Sequence, residues 1–326
     1  MSKNYRLERT CLGPQWDSII DDSPDNTIFT TSAYLRCIGI RIGLFNCYNN
    51  NEVRAAITLA ESADGSSAIL HDYLIYSGIC FARHTNNQNH AQRLSERFEI
   101  SSFLASELAQ KYEAIEFALG PSVSDIRPFL WYNYDNNGSR YSVDIRYTTS
   151  LPIADFLSTN KLEDISIYRN ASSARRQQIR YSKRDGVFTE EINDVNLFVD
   201  FYRSTMSRQG ININLSTYDK LAAFVDALIR NGVARIYLAS TADKRPGSIA
   251  VFANSLKKAY YLFGANDPEL RNSPTGTAVL WDSYRFLCSH NIEEVDLEGV
   301  NSPHRGWFKL SFGGKLIPYY QINKHN

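Results

Sequence analysis

The sequence of 326 residues lacks several features that would define its function directly. Its five cysteines are an odd number and include no C-x-x-C pair, which argues against a disulfide framework or a zinc site and favours free thiols in a reducing compartment. Lysine plus arginine and aspartate plus glutamate both number 35, so nothing points to a protein that binds nucleic acid or membrane over its whole surface. No run of residues reaches the ~18 apolar residues that a membrane span needs.

Signals for targeting and for common catalytic centres are missing as well. The first ten residues, MSKNYRLERT, contain no apolar signal region, so we expect a cytoplasmic protein. The six histidines are scattered without metal-ligand spacing, and no GxSxG, HExxH or P-loop pattern occurs. The sequence therefore predicts no metal cofactor and argues against serine hydrolases, zinc proteases and nucleotide kinases.

What the chain does contain is typical of a globular protein with about two domains. The second half predicts a strand, two helices, three strands, a helix and a final strand, from the alternation of 2.0- and 3.6-residue periods. The first half repeats this order more weakly, without a repeat at the level of residues. We predict a domain boundary within residues 150–161.

A polar loop between a predicted strand and a predicted helix is the first candidate for a binding site. The free amides of a first helical turn carry about half a positive charge and can bind a pyrophosphate or a carboxylate. Gly276 would let a phosphate come close, and Arg271 could add a charged contact. An ordinary helix cap after a surface loop would explain the same residues. The predicted binding residues are Asn266, Arg271, Thr275, Gly276 and Thr277.

A basic stripe is the second candidate. Arg176, Arg180, Lys183 and Arg184 fall on one face of a predicted helix, and no acid occurs between Ile165 and Arg184. Such a stripe suggests an anionic ligand such as a nucleotide phosphate or an RNA backbone. A solvated face that pairs with acids elsewhere is the other interpretation.

The third candidate combines a lysine with two carboxylates. Lys309 lies among aromatic residues and glycines after the last predicted strand, where an ammonium could stabilise an oxyanion. Asp296 and Glu298 alternate with apolar residues at the end of that strand and could accept a proton from an amine. A surface lysine and two solvent-facing acids would show the same pattern.

Several of these segments together resemble the FemABX-like branch of the GNAT superfamily of acyltransferases, including the "acetyltransferase 6" proteins found with polysaccharide genes. Residues 174–186 (ARRQQIRYSKRDG) resemble the family's RRxIRKAxKxG, and residues 260–266 (YYLFGAN) its YYxxGA strand. The other similar segments are residues 273–281 (SPTGTAVLW) with xPxxLLxW, 295–299 (VDLEG) with xDxxG, 308–314 (FKLSFGG) with FKxxFGG, and, in the first half, 28–35 (IFTTSAYL) with FQTxxWL.

The resemblance implies an α/β (α+β) fold of two GNAT-like domains, each with a mixed, mostly antiparallel, twisted sheet flanked by helices. Residues 1–155 would form the acceptor-side domain, to which the tail 315–326 could return, and residues 156–314 the donor-side domain. It also implies that Lys309, at the position of the family's FK lysine, lies at an active site between the domains.

We therefore predict an N-acyltransferase that moves an acyl group from acyl-CoA to the amino group of a nucleotide-linked amino sugar for cell-surface polysaccharide. Acetyl is the first candidate for the acyl group. Asp296 or Glu298 would remove a proton from the amine. Backbone amides of residues 264–266 and the Lys309 ammonium would stabilise the oxyanion. The predicted contacts with the acceptor are Asp72, Tyr76, Arg176 and Arg180.

Two other functions remain open at this stage. The loop before the helix holds one glycine, whereas the superfamily pattern Q/R-x-x-G-x-G/A holds two, and FemABX members proper take the acyl group from aminoacyl-tRNA. A transferase of that kind, acting on a cell-wall precursor, is the first alternative. A non-catalytic pair of GNAT domains that serves as a binding module is the second.

Overall fold

The computed structural model describes residues 4–84 and 87–325. The chain divides into two compact units. Residues 1–146 and 318–326 form unit 1, and residues 147–317 form unit 2. Unit 1 is therefore built from two separate parts of the chain.

Within the residues that the structure describes, unit 1 contains a sheet and four α-helices. Its strands are β1 (Tyr5–Arg9), β2 (Ile42–Asn49), β3 (Glu52–Glu61), β4 (Ala68–Ile69), β5 (Gly78–Phe81), β6 (Ala114–Ala118), the first part of β7 (Ser142–Pro152) and the second part of β13 (Lys315–His325). Its helices are α1 (Pro14–Asp22), α2 (Ser32–Ile38), α3 (His90–Lys111) and α4 (Arg127–Leu130).

The sheet of unit 1 is mostly antiparallel. Strands β1, β2, β3, β4 and β6 follow one another across it, and residues 321–325 of β13 pair antiparallel with β6. The one parallel pairing described within this unit joins β4 to β6, and β5 lies against β3. Buried apolar residues of α3, including Ile100, Leu104 and Leu108, pack in one cluster with residues of β3 and β6.

Unit 2 contains the rest of the elements. Its helices are α5 (Asp155–Ser158), α6 (Ser166–Asn170), α7 (Ser173–Arg184), α8 (Val195–Arg208), α9 (Leu215–Arg230), α10 (Thr275–Ser289) and α11 (Pro303–Leu310). Its strands are the second part of β7, β8 (Phe188–Ile192), β9 (Ala234–Ser240), β10 (Pro246–Ser255), β11 (Lys258–Asn266), β12 (Glu294–Asp296) and the first part of β13.

One of the strand pairings described in unit 2 is parallel, and it covers only part of the longer strand. The strand order is β7, β12, β11, β10, β9 and β8, and β11 runs parallel to β12. The pairing covers only residues 258–260 of β11 and 294–296 of β12. Because β12 then ends while β11 continues to Asn266, the outer edge of residues 261–266 has no strand beside it among the described residues. Such an edge can hydrogen-bond an extended ligand.

The predicted fold class is confirmed by these mixed, mostly antiparallel sheets with flanking helices. The order of elements predicted for the second half also matches β8 to β12 and their helices, with shifts of a few residues at the ends. Residues 68–76 read in the sequence as one strand, but only Ala68–Ile69 form one, β4. The strand stops at Ile69 because the amides of Tyr73 and Leu74 turn back to His71, donating to its Nδ1 and to its carbonyl.

Two observations concern features discussed from the sequence, the membrane spans and the cysteines. None of the described helices is both long and apolar enough to cross a membrane. The five cysteines are free, and all of them except the exposed Cys11 are buried.

Candidate functional site

Lys309 lies on α11, where its ammonium is buried and tightly held. Its Nζ donates to the carbonyl of Leu297 at 2.5 Å and to the carbonyl of Gly299 at 3.1 Å. These two carbonyls flank Glu298 in the chain. An ammonium has three N–H groups, so one is left for a ligand. Burial lowers the pKa of Lys309, although the nearby carboxylates of Glu298 and Asp296 favour its charged form.

Glu298 is 6% exposed and sits in a conformation that is rare for its residue type. Its φ is 55°, in the left-handed region that disfavours residues with a Cβ. Its Oε1 is buried and has no hydrogen-bond partner among the described residues. Burial raises the pKa of this carboxyl well above its ordinary value, Asp296 raises it further, and Lys309 opposes both. Backbone strain and a perturbed carboxyl together are typical of functional sites.

Asp296 has a different role from Glu298. It is the last residue of β12, it is buried, and its Oδ1 accepts from the Thr148 hydroxyl at 2.5 Å and from the amide of Glu298 at 2.7 Å. The sequence pattern placed both acids on one face of a strand. The structure differs because the strand ends at Asp296, and the left-handed turn at Glu298 breaks the alternation. Asp296 thus fixes the turn that presents Glu298.

Tyr261 completes the group around the ammonium. The Lys309 Nζ lies 5.3 Å from the centre of the Tyr261 ring, over its face. The ring's hydroxyl occupies the space beside Gly264, where an added Cβ would lie only 1.6 Å from it. Position 264 therefore needs glycine for the ring to stay where it is. Burial, with the Glu298 charge as a smaller cause, raises the pKa of Tyr261, so the phenol is neutral near pH 7.

Lys309 and Tyr261 line a cavity of about 290 Å³ in unit 2. Its walls come from the C-terminal half of α8, the unpaired edge of β11 and the middle of α11. The lining residues are Tyr202, Thr205, Met206, Arg208, Gln209, Tyr261, Leu262, Phe263, Gly264, Asn266, Arg305, Phe308 and Lys309. In the parts of the chain that the structure describes, no cluster of side chains is suited to a metal ion.

The first turn of α10 leaves amides available. The residue that caps it, Pro274, has no side chain able to accept from the helix, and the amides of Thr275 and Gly276 have no acceptor within residues 4–84 and 87–325. By contrast, the corresponding helix of unit 1, α3, is closed by a reciprocal pair in which Asn89 and Gln92 bond each other's amides. Of these two helices, only α10 therefore has an open start, by which we mean a first turn whose amides are not capped by a side chain.

The side chains around this turn are used differently from the prediction. The hydroxyls of Thr275 and Thr277 are buried and bond Ser248 at 2.9 Å and Gln178 at 2.7 Å, so they stabilise the fold and are closed to a ligand. The amide of Asn266 donates to the Thr205 hydroxyl at 3.3 Å, which removes it from the predicted oxyanion donors. Gly276 is half-buried, with the Asn266 Oδ1 only 3.0 Å from where a Cβ would be.

Three other predicted contacts can also be located. Arg271 is exposed in the loop before α10, and Asp72 is exposed in unit 1. Tyr76 is 1% exposed and packs edge-on against Phe29 and Tyr319, so its predicted contact with an acceptor is wrong as far as an accessible side chain is required.

The basic stripe is less free than its sequence suggested. Arg180 donates to the Tyr168 hydroxyl at 2.7 Å, and Arg184 pairs with Asp185 through two bonds. Arg176 is half-buried and Lys183 is exposed, and neither pairs with an acid among the described residues.

Arg175, the residue that the sequence analysis passed over, is the buried one. Its guanidinium lies over the rings of Phe308 and Phe312 at 4.3 and 4.5 Å and donates to Ser311 at 2.9 Å and to Thr277. It pairs with no described carboxylate, and burial lowers its pKa to about 10. It thus joins α7 to the first turn of α10 and to the helix of Lys309. The spacing of Arg175, Ile179 and Ser182 on one buried face was the available signal.

We expect Arg175→Ala to lower the free energy of unfolding by about 2–4 kcal/mol, because it removes a buried side chain and leaves the polar groups of Ser311 and Thr277 without their donor. Urea unfolding of the purified protein measures this. Arg176→Ala, one residue along the same helix and half-buried, should change it by less than about 0.5 kcal/mol. Equal effects of the two substitutions would contradict the assignment.

Known proteins are similar to this chain in part of its sequence and in its fold. Residues 169–306 match the family model "Acetyltransferase (GNAT) domain". No curated protein matches the chain significantly. Among solved structures, FemX is similar over 96% of both chains, with 14% identity and a TM-score of 0.63. A conserved protein of unknown function from Bacteroides thetaiotaomicron covers 98% of this chain and 100% of its own, with 8% identity and a TM-score of 0.59.

A tandem GNAT protein from the clavulanic acid biosynthesis pathway is similar over 98% of both chains, with 11% identity and a TM-score of 0.54. At these identities the likeness concerns the fold. The tandem GNAT protein supports two GNAT-like domains in this chain. The family match covers the elements from α7 to the first half of α11, and it ends three residues before Lys309. Residues 169–306 therefore form an acetyltransferase (GNAT) domain, which supports an acyltransferase, and the overall fold is similar to that of FemX.

Proposed function

We propose that the protein moves an acyl group, acetyl first among the candidates, from acyl-CoA to the amino group of a nucleotide-linked amino sugar. The observation that carries this proposal is the arrangement of unit 2. A buried lysine and a carboxyl with a raised pKa lie at one end of an unpaired strand edge, and an open helix start lies at the other. An extended thioester with a phosphate at its far end fits that arrangement.

The residues divide the chemistry as follows. Glu298 is the better of the two predicted bases because its Oε1 has no partner, whereas the Oδ1 of Asp296 is occupied. It would take the proton from the acceptor amine, directly or through a water, as the new C–N bond forms. The free N–H of Lys309 would stabilise the tetrahedral oxyanion. The C–S bond then breaks, and the thiolate leaves and regains a proton.

The donor's phosphates are assigned to the first turn of α10. The free amides of Thr275 and Gly276 would face them, and Arg271 is exposed close by in the sequence. The absence of a Cβ at Gly276 keeps the approach open next to the Asn266 amide group. The donor therefore belongs to unit 2 in this proposal, and the predicted acceptor contact of Asp72, which is exposed in unit 1, stays a prediction.

Calorimetric titration with coenzyme A and acetyl-CoA tests the donor. We expect saturable binding, weakened at least about tenfold by Gly276→Val, because the valine fills the space beside the free amides. Gly13→Val is the control: Gly13 lies at the start of another helix, directly before α1, with nothing within 4 Å of an added Cβ. A folded protein that binds neither compound would refute the acyl-CoA proposal.

An aminoacyl-tRNA donor is the second candidate, favoured by the overall likeness to FemX. The pairing of Arg180 with Tyr168 and of Arg184 with Asp185 leaves fewer free cations on α7 than an RNA-binding face would use. The two donors differ in salt dependence. Binding of aminoacyl-tRNA should weaken steeply as salt rises, whereas coenzyme A binding should depend on salt less.

A further inference from the structure

The lining of the cavity in unit 2 is unusual in its charge. Three of the residues that line it are cationic, Arg208, Arg305 and Lys309, and none is acidic. In a chain whose formal net charge is zero, this is a local excess of positive charge. A cavity lined by one sign of charge raises the local concentration of ligands of the opposite sign.

Lys309 does not account for this excess, because its charge is met within the protein. Two carbonyls accept from its Nζ, and the carboxyl groups of Glu298 and Asp296 lie close enough to favour its charged form. Neither of these acids lines the cavity. The uncompensated charges are therefore those of the two arginines.

Arg208 and Arg305 are both exposed, and neither forms an ion pair with a residue that the structure describes. Arg208 lies in the last turn of α8, and Arg305 lies one helical turn before Lys309 on α11. The two guanidiniums thus come from different walls of one cavity. Their arrangement contrasts with Arg203 of α8, which pairs with Asp200 and lies over the Tyr218 ring, outside the cavity.

The donor's phosphates do not explain these arginines. The open amides that suit them are at the start of α10, and neither Thr275 nor Gly276 lines the cavity. Asn266, which does line the cavity, lies beside Gly276, and its Oδ1 is 3.0 Å from the position of a Cβ added there. The cavity therefore holds the reacting end of the donor at most, and its two free guanidiniums are left for the other substrate.

We infer that the acceptor carries an anionic group, a phosphate or a carboxylate, close to the amine that is acylated, and that Arg208 and Arg305 bind this group inside the cavity. Guanidinium groups suit both anions through paired N–H donors. The rings of Tyr202, Phe263 and Phe308 line the same cavity and offer the body of a sugar a flat apolar surface. This inference rests on the proposed acyl transfer and adds the recognition element of the acceptor.

A series of amino sugars that differ in the group at C6 tests it. We expect glucosamine 6-phosphate or 2-amino-2-deoxyglucuronate to be acetylated with a kcat/KM at least about tenfold above that of glucosamine. The comparison of the first two distinguishes a phosphate site from a carboxylate site. Equal rates for charged and neutral amines in the wild-type protein would overturn the inference.

Variants of the two cavity arginines test where the anionic group of the acceptor binds. Arg208→Gln and Arg305→Gln should each lower kcat/KM for the preferred anionic amine about tenfold, and should change kcat/KM for glucosamine and the Kd of acetyl-CoA much less. Arg203→Gln, on the same helix as Arg208 but outside the cavity, should behave as wild type. A loss with charged and neutral amines alike would show that the arginines serve the donor or the fold, and would also overturn the inference.

Calorimetry with glucosamine 6-phosphate and the amino-uronate, without a donor, separates this inference from the proposed function. If either amine binds and the two arginine variants abolish its binding, but no transfer from acetyl-CoA occurs, the acyl-CoA proposal fails and the anionic site stands. If glucosamine is acetylated while neither charged amine binds, the anionic site fails and the acyl transfer stands. If neither charged amine binds and nothing is acetylated, both fail.

Discussion

Lys309→Met is expected to lower kcat at least about tenfold while the protein stays folded. The substitution removes the ammonium assigned to the oxyanion but keeps an unbranched side chain of similar length on α11. Because methionine leaves the carbonyls of Leu297 and Gly299 without their donor and removes the cation beside Glu298, the free energy of unfolding should fall by about 1–3 kcal/mol. Steady-state kinetics with acetyl-CoA, together with urea unfolding, measure the two effects separately.

Lys258→Met provides the control for loss of a lysine charge. Lys258 begins β11 on the same strand as Tyr261, but its ammonium is partly exposed and pairs with Glu294 at 3.1 Å. It should keep wild-type turnover, since a surface ion pair contributes little. Wild-type turnover in Lys309→Met would remove the lysine from the mechanism and leave it a purely structural clamp on residues 297–299.

Glu298→Gln is expected to lower kcat by about a hundredfold or more, the usual contribution of a positioned general base. Its pH dependence has a definite sign. The carboxylate accepts a proton only when ionised, so wild-type activity should rise with pH through the raised pKa of Glu298, well above the ordinary value of 4.5. The glutamine variant should lose this rise, because it has no carboxyl group to ionise. Rate profiles from pH 5 to 9 measure it.

Glu293→Gln is the matched control, because Glu293 is exposed and pairs with Lys257 near the start of β12. It should retain both rate and pH profile. If Glu298→Gln kept the same rise of activity with pH, the base would be another group, and Asp296→Asn would be the next variant to examine. Loss of the rise without loss of rate at high pH would show that Glu298 controls the charge of Lys309 instead.

Much of unit 2 could be predicted because its elements are long and regular in period. The helices α9 and α10 follow the 3.6-residue pattern, and β10 and β11 alternate or form apolar runs between clear turns. Lys309, Glu298 and Asp296 could be selected because charged residues within an apolar stretch are costly to bury without a reason. Their arrangement could not be predicted, since it depends on the left-handed turn at Glu298 and on the end of β12 at Asp296.

The burial of Arg175, by contrast, could not be predicted from the sequence. Sequence alone presents it as one of several arginines in a basic segment, and a surface position is the ordinary expectation for that residue type. Its burial comes from the rings of Phe308 and Phe312, more than 130 positions away in the chain, which no local pattern reveals. Tyr76 is the reverse case, because its ring packs against Phe29 and Tyr319, which are distant in the sequence, and so belongs to a core.

The two-part construction of unit 1 has a consequence for how the protein is made. The strand that covers β6, residues 321–325 of β13, follows the whole of unit 2 in the sequence. During synthesis, the edge of β6 therefore stays unpaired until unit 2 has been made, and such edges tend to pair with other chains. Unit 2 is continuous and can fold on emerging from the ribosome. The unit that is begun first is thus the one that is completed second.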